Sequence, residues 1–168
     1  MRIRALIAAL LVPAALLSLV SCKKDINVEY CELGIVLTKD FEKYDSNEVF
    51  DDAYSNGEAI VAFTRYSFVD CIEYGFLSTL TPERFAEVHL EKSGKSDSTS
   101  VEQSGDVPYY CYTNKDSLGN EYFYMLAFYR TPYAYFVITF ITPAYKSEEM
   151  LDKFIKIANS AYILEEHI

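Results

Sequence analysis

The sequence predicts an α+β fold: an antiparallel sheet of six or seven strands held in an α-β-α sandwich. Three observations predict it. The paired segments Tyr122–Arg130 and Tyr133–Ile141 are apolar on one face and amphipathic on the other, and such a sheet needs cover on both sides. Two helical patterns, one opening at Thr81 and one at Ser147, are available to supply it. From Tyr30 to Ile168 there is no linker, repeat or boundary, so residues 30–168 read as a single domain.

The elements follow in order. Leu33, Ile35 and Leu37 alternate as in a strand. Val49–Tyr54 and Ala59–Tyr66 flank Asn56-Gly57, a strong hairpin signal because both residues tolerate positive φ. Thr81-Pro82-Glu83 predicts a helix start: a hydroxyl N-cap, a proline where its missing N–H costs nothing, and an acid at the positive end. Leu80 and Phe85 take the two positions of a hydrophobic staple, and the helix should run to Lys92. Residues 91–106 are rich in Ser, Thr and charge, as in a solvated loop, with an edge strand expected over Thr99–Gln103. Val107–Thr113 is a further strand.

The last hairpin and helix carry the layering. With Thr131-Pro132 as a two-residue loop, Arg130 pairs with Tyr133. Phe123, Met125, Ala127, Tyr129, Ala134, Phe136, Ile138 and Phe140 then share one face, while Tyr122, Tyr124, Leu126, Phe128, Tyr133, Tyr135 and Val137 share the other. A helix over Ser147–Tyr162 gathers Met150, Leu151, Phe154, Ile155, Ala158 and Ala161 against Asp152, Lys153, Lys156 and Asn159.

Ahead of this body stands an address. Arg2 and Arg4 precede an apolar stretch from Ala5 to Val20, broken by Pro13 and too short for a comfortable membrane span. It ends in Leu19-Val20-Ser21-Cys22, which resembles the lipobox of bacterial lipoproteins. The resemblance implies removal of residues 1–21 and lipid attachment to Cys22, with palmitate among the acyl chains. Without Arg2 and Arg4 the chain carries 13 basic and 25 acidic residues. Anionic lipid repels such a body, so two or three acyl chains must hold it at the membrane. Lys23 follows Cys22, so the aspartate that retains lipoproteins in the inner membrane is absent, and Cys22-Lys23-Lys24-Asp25 is similar to a short surface-export tag. The outer membrane is expected, with the leaflet open. Residues 23–29 read as a tether reaching at most about 25 Å.

Leu33-Gly34-Ile35-Val36-Leu37, the hairpin into Val61–Tyr66, Leu80–Ala86, Val107-Pro108-Tyr109-Tyr110, the paired aromatic strands and the closing helix resemble, in that order, the PsbP-like proteins. The resemblance implies an α-β-α sandwich that acts by docking on partners and carries no shared catalytic residue.

Composition narrows the chemistry. The chain has 168 residues and a net charge of −10, which argues against nucleic acid because phosphate binding needs a basic surface. Beside Cys22, three cysteines remain, Cys31, Cys71 and Cys111, an odd number that leaves one bridge or buried free thiols open. His89 is expected on the inner face of the first helix, as a structural residue before a catalytic base; His167 lies in the tail. Neither sits in a spaced ligand set. Asn114–Gly119 fails as a calcium loop, since Leu118 and Met125 stand where oxygen ligands are required, and it reads as a turn with Gly119 and Asn120 at positive φ. Asp51, Asp52, Asp40 and Asp45 are expected on solvated faces. No metal or cofactor is expected.

Tyrosine is the compositional excess: eight of 15 fall between Tyr109 and Tyr135. Exposed tyrosines make good contact surfaces, whereas half-buried ones merely suit a wide sheet. The reading is a non-catalytic, lipid-anchored envelope protein docking an unidentified envelope protein through Tyr122, Tyr124, Tyr133 and Tyr135. A binder of glycan or another small ligand is the first alternative, and an enzyme of unrecognised class the second.

Overall fold

The computed structural model describes residues 24–46 and 49–164. The expected leader over residues 1–21, Cys22 with its expected lipid, Lys23 and His167 lie outside the described residues. The elements are β1 Ile26–Tyr30, β2 Leu33–Leu37, β3 Glu42–Lys43, β4 Asp52–Ser55, β5 Ile60–Ser67, α1 Phe68–Glu73, α2 Pro82–Lys92, β6 Glu102–Ser104, β7 Val107–Lys115, β8 Glu121–Arg130, β9 Ala134–Pro143, α3 Ser147–Ala158 and β10 Tyr162–Ile163.

Seven strands form the main antiparallel sheet in the order β3-β4-β5-β9-β8-β7-β6, and β1-β2-β10 make a second, three-stranded sheet. The α+β sandwich is therefore as expected, with seven strands between its helical layers. One face of the main sheet meets α3 and the small sheet through Phe123, Met125, Phe136, Ile138 and Phe140 against Val28, Leu33, Ile35, Leu37 and Phe154. The other face meets α1 and α2 through Leu126, Phe128, Tyr135 and Val137 against Cys71, Phe85, Ala86 and Leu90. Each face is apolar because each is covered.

The edge strand expected over Thr99–Gln103 forms instead at Glu102–Ser104, and four larger readings change. Residues 26–29, expected as tether, are strand: Val28 is buried and pairs with Ile35. Helix α3 stops at Ala158, where Ser160 turns its hydroxyl onto the Ile157 carbonyl and accepts the Val36 N–H at 3.0 Å. The chain then adds β10 to β2. Arg130 pairs with Tyr135, not Tyr133, because Thr131 pairs across to Ala134 and leaves Pro132-Tyr133 as the loop. A two-residue register shift keeps every side chain on its face, so the layering survives it. The short helix α1 is the fourth: Ser67 and Asp70 close a capping box, each side chain taking the other's backbone N–H.

The capped start of α2 is as read, with Thr81 Oγ1 accepting the Arg84 N–H at 3.2 Å. In the β4–β5 turn only Gly57 takes positive φ, while the Asn56 side chain accepts the Glu58 and Ala59 N–H groups. In the β7–β8 turn Gly119 does so and Asn120 does not.

Candidate docking surface and clefts

The four tyrosines read as a contact patch do not share a surface. Tyr122 and Tyr124 are half-buried near the start of β8, opposite Pro143 and Ile141. Tyr133 is exposed in the loop at the far end, about 20 Å along the strand. Tyr135 is fully buried, its hydroxyl donating to the Leu80 and Leu77 carbonyls at 2.7 and 3.2 Å. It is a core residue and leaves the patch. A strand rising over 3 Å per residue separates side chains that a shared face alone appeared to unite.

The body cysteines are free thiols. Cys31 is exposed in the β1–β2 turn at φ 51°, Cys71 is buried on the inner side of α1, and Cys111 packs on the opposite face of the main sheet. The sheet stands between Cys71 and Cys111, so the bridge left open by the sequence does not form there. Burial raises the Cys71 thiol and pushes Cys111 up to about 12. A nucleophilic cysteine needs the reverse shift.

His89 sits where the helix pattern placed it. Its Nδ1 is 2.9 Å from the Tyr110 hydroxyl, and Phe76, Phe85 and Phe128 surround the ring. Burial pushes its pKa down to about 4, so the ring is neutral at pH 7. Of the four acids expected on solvated faces, Asp40, Asp45 and Asp51 are exposed and only Asp52 is not. Asp52 is buried, ion-paired with Lys43 and bonded to the Tyr54 hydroxyl; Asp51 accepts the Arg65 N–H, and Asp40 takes the Asn56 amide. Asp116 spends its carboxylate on Leu118 and Asn120 within its own turn. Among the described residues no group of three His, Cys, Asp or Glu could hold a metal ion, and no helix is long and apolar enough to cross a membrane.

A different surface stands out. Val69, Ile72, Tyr74 and Leu77, from α1 and the segment after it, are 72%, 75%, 60% and 67% exposed. The sequence did carry a signal for this. Phe68 and Cys71 form one i, i+3 stripe and Val69 and Ile72 another, and a helix apolar on both sides needs cover on both. The fold covers only the first stripe. Tyr133 occupies the same end of the sheet, since Ser67 pairs with Ala134, and Arg130 lies 5.5 Å over the Phe68 ring.

Two concavities lie at opposite ends of β5. A groove of about 660 Å³ has Phe41 and Ile157 in its floor and Asp25, Glu58, Lys153 and Lys156 at its rim. It lies where the described chain begins and β5 starts. A smaller cleft, about 240 Å³, lies beside α1 at the other end of β5. The eight residues of β5 put about 24 Å between these two ends.

No family model matches the chain, and no curated protein does. Solved structures do. A protein of Bacteroides thetaiotaomicron superposes with a TM-score of 0.58 at 13% identity over 87% of this chain, which spans 50% of that one. Cyanobacterial PsbP from Synechocystis sp. PCC 6803 superposes with a TM-score of 0.51 at 8% identity, covering 86% of this chain and 95% of its own. At such identities the likeness shows a PsbP-like fold alone.

Proposed function

We propose that this chain is a lipid-anchored, non-catalytic protein of the bacterial cell envelope that docks a protein partner through α1 and the segment following it. The observation that carries the reading is the exposed apolar run Val69, Ile72, Tyr74 and Leu77. It lies at the end of the sheet away from Asp25, next to which acylated Cys22 would emerge. With β1 starting at Ile26, the tether shortens to a few residues reaching about 14 Å. The anchored end then faces the outer membrane and the apolar segment faces away. A body of such acidity is repelled by anionic lipid, which favours a protein over a bilayer as the occupant. Neutral, desolvated His89 and the raised thiols of Cys71 and Cys111 support a non-catalytic body.

The test is photo-cross-linking in intact envelopes from a reactive residue at position 72, with position 124 as comparison. Adducts of one defined mass from position 72 alone are expected. Cys22→Ser should release the body from washed membranes. Absence of adducts from position 72 would sink the docking reading, and retention of Cys22→Ser would sink the anchor.

One observation favours a second reading, a small-ligand binder: the 660 Å³ groove falls in the size range of ligand sites. Tyr135, buried in the core, is not open to a glycan.

A further inference from the structure

We infer that the cleft beside α1 seats one large apolar side chain of the docked protein, with an adjacent carboxylate of that protein pairing with Lys92. This rests on the docking reading above and names the chemistry its partner must present.

The cleft is lined by Tyr66, Tyr74, Phe76, His89, Lys92 and Ser93. Phe76 and His89 lie parallel, 8° apart with centroids at 6.3 Å, and form one wall. Tyr66 meets both edge-on at 6.0 and 6.3 Å, and Tyr74 stands edge-on to Tyr66 at 5.6 Å. These rings are held before anything binds. The His89 ring is bonded to Tyr110, and the Phe76 N–H donates to the Cys71 carbonyl at 2.7 Å. A pre-formed wall spares the ordering cost that binding otherwise carries.

Size selects the occupant. At about 240 Å³ the cleft falls below the 300–1,000 Å³ typical of sites for whole small molecules. It suits a single anchoring side chain, the usual centre of a protein interface. Continuity points the same way, since Tyr74 both lines the cleft and belongs to the exposed run.

Charge selects the neighbour. The Lys92 ammonium lies 5.4 Å from the centre of the Phe76 ring, at the mouth. Gly75, at φ 69°, turns the chain beside this ammonium, which lies 3.2 Å from where a Cβ would stand. Lys92 is exposed, and with His89 neutral it is the one cation in the lining. A carboxylate beside the inserted side chain gains an ion pair, while a lysine there meets repulsion.

Two labelled, capped heptapeptides test this by fluorescence anisotropy against the full-length chain in detergent. One carries a phenylalanine followed by an aspartate, the other a phenylalanine followed by a lysine. The acidic peptide should bind about tenfold more tightly, Lys92→Glu should invert the preference, and Lys92→Gln should erase it. Equal binding of the two peptides, no saturable binding of either, or a preference unmoved by Lys92→Glu overturns the cleft assignment. Cross-links from position 72 that survive Lys92→Glu undiminished would overturn it too while leaving the docking reading standing.

Discussion

The Tyr135 ring lies on Phe85 with centroids 4.3 Å apart and planes 15° apart, joining the central strand β9 to the first turn of α2. Its hydroxyl holds the Leu80 carbonyl directly ahead of that helix. One side chain therefore fixes both the height of α2 above the sheet and the path of the segment leading into it.

Tyr135→Phe should cost about 1–2 kcal/mol, because the stack survives while carbonyls beneath α2 lose their donor. Tyr135→Ala should cost about 3–5 kcal/mol through the cavity it leaves. Urea unfolding measures both, and an alanine variant as stable as the parent would contradict the burial.

Acid should weaken the fold through His89. Its folded pKa of about 4 lies below the ordinary value of 6.5, so between these values the unfolded chain binds the extra proton. The contribution of neutral His89 is whole above pH 6.5, declines as pH falls, and is exhausted near pH 4, on the order of 3 kcal/mol in all. His89→Gln should flatten that part of the stability-pH profile relative to the parent. Superimposable profiles would show that His89 is not desolvated.

Thiol reactivity should separate the body cysteines. In the folded chain a maleimide should modify exposed Cys31 quickly, and Cys71 and Cys111 only after unfolding. Mass spectrometry of the unfolded chain without reductant checks the count. Fewer than three modified body thiols would reveal a bridge.

Gly34 is needed where β2 meets β10. A Cβ at this position would stand 2.4 Å from the Tyr162 ring, and Tyr162 donates its hydroxyl to Glu29 at 3.0 Å. Gly34→Ala should push Tyr162 out and loosen β10, raising amide exchange at Tyr162 and Ile163. Tyr162→Ala should relieve the clash, so the double variant should be more stable than the sum of the single effects predicts. Strict additivity would remove the steric explanation.

Much of the architecture was legible along the chain because it rests on local periodicity. Alternation in β8 and β9 named both faces of the main sheet, and the Thr81-Pro82 start and the Met150-Phe154-Ala158 stripe named two covering helices. Strand β1 was missed because Asn27 and Glu29 make it look like a polar linker, yet it needs only Val28 inward to pair with β2. Helix α1 was missed because its two i, i+3 pairs, Phe68/Cys71 and Val69/Ile72, span under two turns, a signal too brief to stand out from the neighbouring strand. The candidate site was less legible still: Tyr133 and Tyr135 stand two residues apart on the same pattern, and one is exposed while the other is buried.

From its residues alone the chain declares a two-faced antiparallel sheet and the helices that cover it. These depend on neighbours within a few positions, where side-chain direction follows from strand or helix geometry. Tertiary structure alone decided that Tyr135 is core, that Val69 and Ile72 are left uncovered, and that Lys92 comes to rest on Phe76. Each depends on what a distant segment does or does not cover, and burial is a property of packed layers that no local period contains.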